Sequence, residues 1–256
     1  MSKIKNAFSN GKAFIGFITA GDPSLDKTKE YIREMIRGGA DLIEIGIPFS
    51  DPIAEGIVIQ GANIRALSSG TTIEKIFKMV EEIRKEISVP LVFLTYLNPV
   101  YNYGYDKFFN KCNEIGVDGI IIPDLPFEEK GEINKIALKN NVDIISLISP
   151  TSKERIYSIA KESRGFVYIV SSMGVTGVRN NIKTDISNTV DMVRKVTSTP
   201  CAVGFGINTP KQCREISKQA DGVIVGSAIV KIIENYGANA GEHVYKYVKE
   251  MKEVLV

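Results

Sequence analysis

Asp41-Leu42-Ile43-Glu44-Ile45-Gly46-Ile47-Pro48 is the stretch that decides the fold of this 256-residue chain. It is short, rich in isoleucine and closed by a proline, which reads as a β-strand. Side chains alternate between the two faces of a strand. Ile43, Ile45 and Ile47 therefore share one face, suited to packing against helices. Leu42, Glu44 and Gly46 share the other, which a closed sheet would turn inward. Seven more runs of this kind follow or precede it: Phe14–Ala20, Leu91–Leu97, Gly119–Asp124, Ile144–Ser149, Phe166–Ser171, Ala202–Ile207 and Gly222–Ile229. Between them lie segments of helical period, namely Leu25–Arg37, Thr72–Ile87, Asp106–Ile115, Glu154–Glu162, Thr184–Val196, Pro210–Lys218 and Glu242–Leu255. The spacing is about 32 residues per unit, the size of a βα repeat. A weak internal repeat agrees, since Ala40-Asp41-Leu42, Val117-Asp118-Gly119 and Ala220-Asp221-Gly222 each open a strand. Strands alternating with helices give a parallel sheet covered by helices, and eight units favour closure into a single (β/α)8 TIM barrel. No linker or low-complexity tract divides the chain, so residues 1–256 are expected to form one domain.

Composition narrows the class. The chain is 44% hydrophobic and 24% charged, with 32 basic against 30 acidic residues and a formal net charge of +2. Such a balance argues against a nucleic-acid surface. Three cysteines, Cys112, Cys201 and Cys213, are an odd number without CxxC spacing, as expected of reduced thiols in a cytoplasmic protein. No apolar run approaches the ~20 residues of a membrane span. Ala13–Ala20 is only a strand in length and carries no cleavage signal after it.

In a barrel of this type the chemistry sits at the C-terminal ends of the strands. After the sixth run comes Ser171-Ser172-Met173-Gly174-Val175-Thr176-Gly177, the seventh ends Gly204-Phe205-Gly206-Ile207-Asn208, and the eighth ends Val225-Gly226-Ser227-Ala228-Ile229-Val230. Glycines in three successive loops let backbone N–H groups approach an anion. Gly226-Ser227 also opens a short helical pattern, Ala228–Ile233, whose N-terminus favours phosphate. No GKS or GKT follows, which argues against a nucleoside triphosphate.

Glu44 points into the barrel, where a carboxylate is costly unless paired or working. A structural salt bridge is one reading and a general acid/base the better one. The loop after this strand, residues 49–60, adds Asp51 and Glu55. Asp51 before Pro52 also reads as a turn residue, and Glu55 alone as a solvated one. The single histidine, His243, lies in the last helix, so a histidine-based metal site or triad at the mouth is excluded. No lysine sits within a strand end, which disfavours a Schiff base. What remains is a set of carboxylates, Tyr96, Tyr168 and backbone donors, suited to acid/base cleavage or isomerisation of a phosphorylated substrate.

The chain resembles the tryptophan synthase alpha subunit family through Phe17-Ile18-Thr19-Ala20-Gly21-Asp22-Pro23, Glu44 to Pro52, Gln60 to Leu67, Gly174-Val175-Thr176-Gly177, Gly204-Phe205-Gly206-Ile207 and Val225 to Val230. These segments run from the first strand to the eighth. The resemblance implies retro-aldol cleavage of indole-3-glycerol phosphate to indole and glyceraldehyde 3-phosphate. By it, Glu44 is the proton shuttle and Tyr168 lies near it. Phe17, Leu94 and Ile121 fall where the family lines its indole pocket, with barrel packing as the plainer reading of all three. Thr176 sits in the loop that closes over the site, and Gly177, Gly206, Gly226 and Ser227 match the phosphate grip. The family's second catalytic carboxylate is an Asp, whereas this chain has Ala54-Glu55-Gly56, moving the charge outward by ~1.5 Å. The resemblance further implies a beta subunit that carries pyridoxal phosphate, in an alpha2beta2 assembly, with no cofactor on this chain. Asn98 and Pro126 are the candidate contacts with it. A stand-alone phosphate-barrel lyase or isomerase, and a weakly catalytic regulatory subunit, stay open as alternatives.

Overall fold

The computed structural model describes residues 3–149, 152–170, 179–204 and 206–255, with 179–185 described by backbone alone. Nine strands are found among them: β1 Ala13–Thr19, β2 Leu42–Gly46, β3 Leu91–Leu94, β4 Gly119–Ile121, β5 Asp143–Ile144, β6 Ser146–Ile148, β7 Val167–Val170, β8 Cys201–Gly204 and β9 Gly222–Val225. Their spatial order is β5-β4-β3-β2-β1-β9-β8-β7-β6, and every pairing is parallel. The two ends of that order are consecutive in the chain, separated only by Ile145, whose N–H bonds to the Ile120 carbonyl at 2.8 Å. One interrupted strand therefore joins both edges and closes the barrel. The fifth sequence run, Ile144–Ser149, is in fact two strands that begin one residue earlier, at Asp143.

Helices α1 Leu25–Arg37, α2 Ile57–Ser68, α3 Ile73–Ile83, α4 Leu97–Tyr103, α5 Tyr105–Glu114, α6 Gly131–Lys139, α7 Lys153–Lys161, α8 Arg179–Arg194, α9 Pro210–Ser217, α10 Ser227–Tyr236 and α11 Gly241–Lys252 fill the connections. Side chains mark several of their starts. Ser24, Thr72 and Ser152 accept N–H bonds at the heads of α1, α3 and α7, and Thr209 with Gln212 forms a capping box at α9. Helices α2, α4 and α6 go beyond the sequence pattern. In α2, Ile57, Ile64 and Leu67 are exposed while Ile59, Ala62 and Ala66 are buried, so no polar stripe marks an outer face. Leu97 continues the apolar run of β3, yet it opens α4, its N–H held by the Asp124 carboxylate at 2.8 Å. No helix among the described residues is long and apolar enough to cross a membrane.

The core has two layers, as the alternation in β2 requires. Ile43, Ile45 and Ile47 belong to the outer cluster between sheet and helices. Leu42 belongs to the inner one, with Ile15, Val92, Ile121, Ile145, Phe166, Tyr168, Ala202 and Ile224. The floor of the barrel is closed by a 3-10 turn, Lys3–Phe8, which contributes Ile4 and Ala7 to that inner cluster. The repeated Asp has a shared mechanical role at this end. The Asp41, Asp118 and Asp221 carboxylates accept the N–H of Phe14, Leu91 and Cys201 at 2.7, 3.0 and 2.9 Å. Each of these residues returns its carbonyl to the aspartate's own N–H. Lys252, Arg84 and Arg194 neutralise the three carboxylates at 2.7, 2.6 and 2.9 Å. These clamps fix the strand bottoms and leave the top free for function. The three cysteines are buried and unpaired.

Candidate functional site

The strand tops open into a cavity of about 1060 Å³. Of the residues singled out from the sequence, Glu44, Glu55, Tyr168, Phe17, Leu94, Gly206, Gly226 and Ser227 all line it. Ile121 does not. It is fully buried in the inner barrel cluster, and Ile122 and Pro123 form the wall at that strand end. Thr176 and Gly177 lie outside the described residues. Pro126 is exposed on the rim of the cavity, and Asn98 is exposed at the start of α4.

Glu44 lies in β2 between Phe17 of β1 and Val92 of β3, level with both in register. Phe17 reaches over the strand because residue 46 has no side chain: a Cβ there would come within 2.7 Å of the Phe17 ring. Gly204 makes the same allowance for Tyr168, whose hydroxyl would overlap any Cβ at that position. Two glycines thus seat the aromatic neighbours of the carboxylate. Glu44 is only 2% exposed, and its Oε2 has no hydrogen-bond partner among the described residues. Burial, and secondarily the charge of Glu55, push its pKa up to about 8. At neutral pH such a group favours its protonated form. No cation pairs with Glu44 among the described residues, so nothing there supports the salt-bridge reading.

That burial has a cost with a definite pH dependence. The unfolded carboxylate titrates near 4.5 and the folded one near 8. Between those values the folded chain holds a proton that the unfolded chain has lost, so stability falls as pH rises through the interval. The cost is absent below the lower value and complete above the upper. Denaturant titration at pH 9 is expected to find Glu44→Gln more stable than the parent by about 2–5 kcal/mol. The difference should vanish near pH 4. Equal stability at pH 9 would show that Glu44 is not held neutral by burial.

Glu55 stands above Glu44 on the loop between β2 and α2, half-buried. The Asn63 side-chain amide donates to its carboxylate at 2.7 Å, and Gln60 donates to its main-chain carbonyl at 2.8 Å. Burial raises the Glu55 pKa, while hydrogen bonds from Asn63 and Tyr96 lower it. The Tyr96 hydroxyl also accepts the Ala54 N–H at 3.0 Å, so one hydroxyl holds the backbone and the side chain of two adjacent loop residues. Tyr168 is likewise shifted well above the ordinary phenol value, first by burial and then by the Glu44 charge. Asp51, by contrast, is exposed and takes a hydrogen bond from Ser50.

The opposite wall is built for an anion. α10 begins at Ser227 with Gly226 as its cap residue, which has no side chain to cap the first N–H groups. Those donors and the positive end of the helix meet the cavity at Gly226, Ser227 and Ala228. Gly206, Asn208, Lys231 and Asn235 complete this side. Lys231 is paired with Glu234 at 2.5 Å. A buried carboxyl of raised pKa, a second carboxyl, apolar walls from Phe17 and Leu94, and a helix N-terminus thus share one space. No group of three or more His, Cys, Asp or Glu able to hold a metal occurs among the described residues.

Two features of the site have little signal in the sequence. Asn63 is an asparagine in the middle of a helix, where a side chain of that kind is unfavourable unless bonded. The other is the Asp22–Arg65 pair. Arg65 of α2 grips the buried Asp22 through two bonds of 2.8 Å and reaches Glu234 of α10 at 3.2 Å. It thereby ties together the β1 loop, α2 and the anion-facing helix.

Comparison with known proteins places these features in a family. The family model described as tryptophan synthase alpha chain matches residues 3–255. A tryptophan synthase alpha chain of Lacticaseibacillus casei is 46% identical over 252 residues, covering 98% of this chain and 95% of that protein. The crystal structure of tryptophan synthase alpha chain from Legionella pneumophila superposes with a TM-score of 0.89 at 34% identity, covering 100% of this chain and 97% of that one. A chain from a structural study of the tryptophan synthase alpha2beta2 complex of Pyrococcus furiosus gives a TM-score of 0.87 at 37% identity, covering 95% and 99%.

Proposed function

The chain belongs to the tryptophan synthase alpha chain family, and on that premise we propose that its two-carboxylate cavity cleaves indole-3-glycerol phosphate to indole and glyceraldehyde 3-phosphate. The observation that carries this reading is Glu44, a buried carboxyl whose pKa burial raises, in the same cavity as Glu55 and the N-terminus of α10.

The phosphate sits against the first N–H groups of α10, with Gly206, Gly226 and Ser227 around it. The indole ring lies between Phe17 and Leu94. Glu44 gives its proton to C3 of the indole, and positive charge develops at the ring nitrogen. The Glu55 carboxylate faces that N–H and stabilises the charge. Glu44, now a carboxylate, takes the proton of the adjacent side-chain hydroxyl. The oxygen's electrons form the aldehyde carbonyl, the C3–carbon bond breaks, and its electron pair restores the neutral indole. One group serves as acid and then as base and ends the cycle protonated. Tyr168 faces the same cavity and senses the charge that Glu44 carries in the second step. No cofactor of this chain enters these steps. Pyridoxal phosphate is expected on the beta subunit, which would join the released indole to serine.

A beta partner also accounts for apolar surface near the mouth. Ile53, Ile57 and Ile64 are 80%, 85% and 66% exposed on the β2–α2 loop and α2, and Tyr101 of α4 is 66% exposed. Their occlusion by the beta subunit, with Asn98 and Pro126 at the edges, is the proposed interface. Family membership favours neither an isomerase nor a purely regulatory subunit.

Incubation with indole-3-glycerol phosphate is expected to yield indole and the triose phosphate in equal amounts, faster when a beta subunit is present. Consumption of substrate without indole would rule the reading out.

A further inference from the structure

We infer that Asn63 is a positioning residue, whose side-chain amide holds the Glu55 carboxylate over the cavity in the orientation that the cleavage needs. The inference rests on the proposed role of Glu55 and adds what keeps that side chain in place. Glu55 is borne on a loop between the exposed Ala54 and Gly56, and a glutamate side chain has several rotamers to lose. Left alone, it would gain entropy and hydration by turning outward. Asn63 opposes this from a fixed platform. It is 4% exposed in the middle of α2, and its Nδ2 lies 2.7 Å from Glu55 Oε2. The helix is itself anchored two residues on, where Arg65 grips the buried Asp22 and reaches Glu234 of α10. The same helix therefore links the position of the carboxylate to the position of the anion-binding end.

The bond also sets the charge state. An amide N–H stabilises the ionised carboxylate, opposing the effect of burial. Glu44, from β2, and Tyr96, from the head of α4, are the titratable groups that act on or with Glu55. Asn63 thus helps keep Glu55 charged while Glu44 stays protonated, a division of one proton that the proposed steps require.

The test compares the kcat and KM of indole-3-glycerol phosphate cleavage from pH 5 to 9, in the complex with beta subunit, for the parent and for Asn63→Ala, Asn63→Asp and Asn63→Ser. Asn63→Asp keeps the shape and removes the donor. Asn63→Ser keeps a small donor and guards against loss of fold in the alanine variant. Asn63→Ala and Asn63→Asp are expected to lower kcat by about 10–100-fold with KM changed less than about threefold, as for a misplaced catalytic group. The acidic limb of the kcat profile should move to higher pH, and Asn63→Ser should recover part of both effects. Unchanged kcat and an unmoved limb in folded Asn63→Asp would overturn the inference, as would a loss confined to KM. If Glu55→Gln kept full activity, the role of Glu55 would fall as well, whereas an inactive Glu55→Gln beside a fully active Asn63→Asp would remove Asn63 alone.

Discussion

Glu44→Gln is expected to reduce indole release from indole-3-glycerol phosphate by about 10²–10⁴-fold, the range for loss of a positioned general acid/base. The substitution is nearly isosteric, so the Phe17 contact and the Gly46 gap that seat it are kept. KM should therefore change little. An amide can neither deliver a proton to the indole nor remove one from the hydroxyl, so both steps stop together. An ordinary glutamate is ionised at pH 7 and has no proton to give. Burial beneath the aromatic ring and the nearby charge of Glu55 change that, and the pH-dependent loss of stability is the cost of the change.

The second large effect falls on Glu55. Glu55→Gln should abolish cleavage, by about 10²–10³-fold, while Glu55→Asp should retain it if the loop adjusts by the ~1.5 Å of one bond. The glutamine variant keeps a partner for Asn63 but leaves the positive indole nitrogen unopposed. It also removes the charge that helps hold the proton on Glu44. Any residual rate should then decline at a lower pH than in the parent. Steady-state assays across pH check both effects. Activity untouched by Glu55→Gln would remove this residue from the mechanism.

Much of this was legible in the chain. Period-two alternation in Leu42–Pro48 separates the outer isoleucines from the inward Glu44, and the structure keeps that separation residue by residue. Loop glycines locate the anion end because backbone approach needs them. Alternation tells which side of a strand a residue faces, but not its depth. Ile121 is inward as read, yet fully buried, while its register neighbour Leu94 reaches the cavity. Apolar runs also do not show where a strand ends and a helix begins: Leu97 and Ser227 fall inside such runs yet open helices, and of the two only Ser227 is marked by a helical pattern after it. Helix α2 gave no periodic signal because isoleucines project from its exposed side. Asn63 was hidden with it, since a hydrogen bond across eight residues is visible only once the helix is placed.

The most direct test is single-turnover indole release from indole-3-glycerol phosphate as a function of pH, with the parent and Glu44→Gln run side by side, alone and with beta subunit. A protonated Glu44 as the working acid predicts that the parent's rate falls as pH rises through about 8 and that Glu44→Gln releases indole at least about 10²-fold more slowly at every pH. Release by the parent that persists undiminished above pH 9, or release by Glu44→Gln at a rate near the parent's, would contradict it.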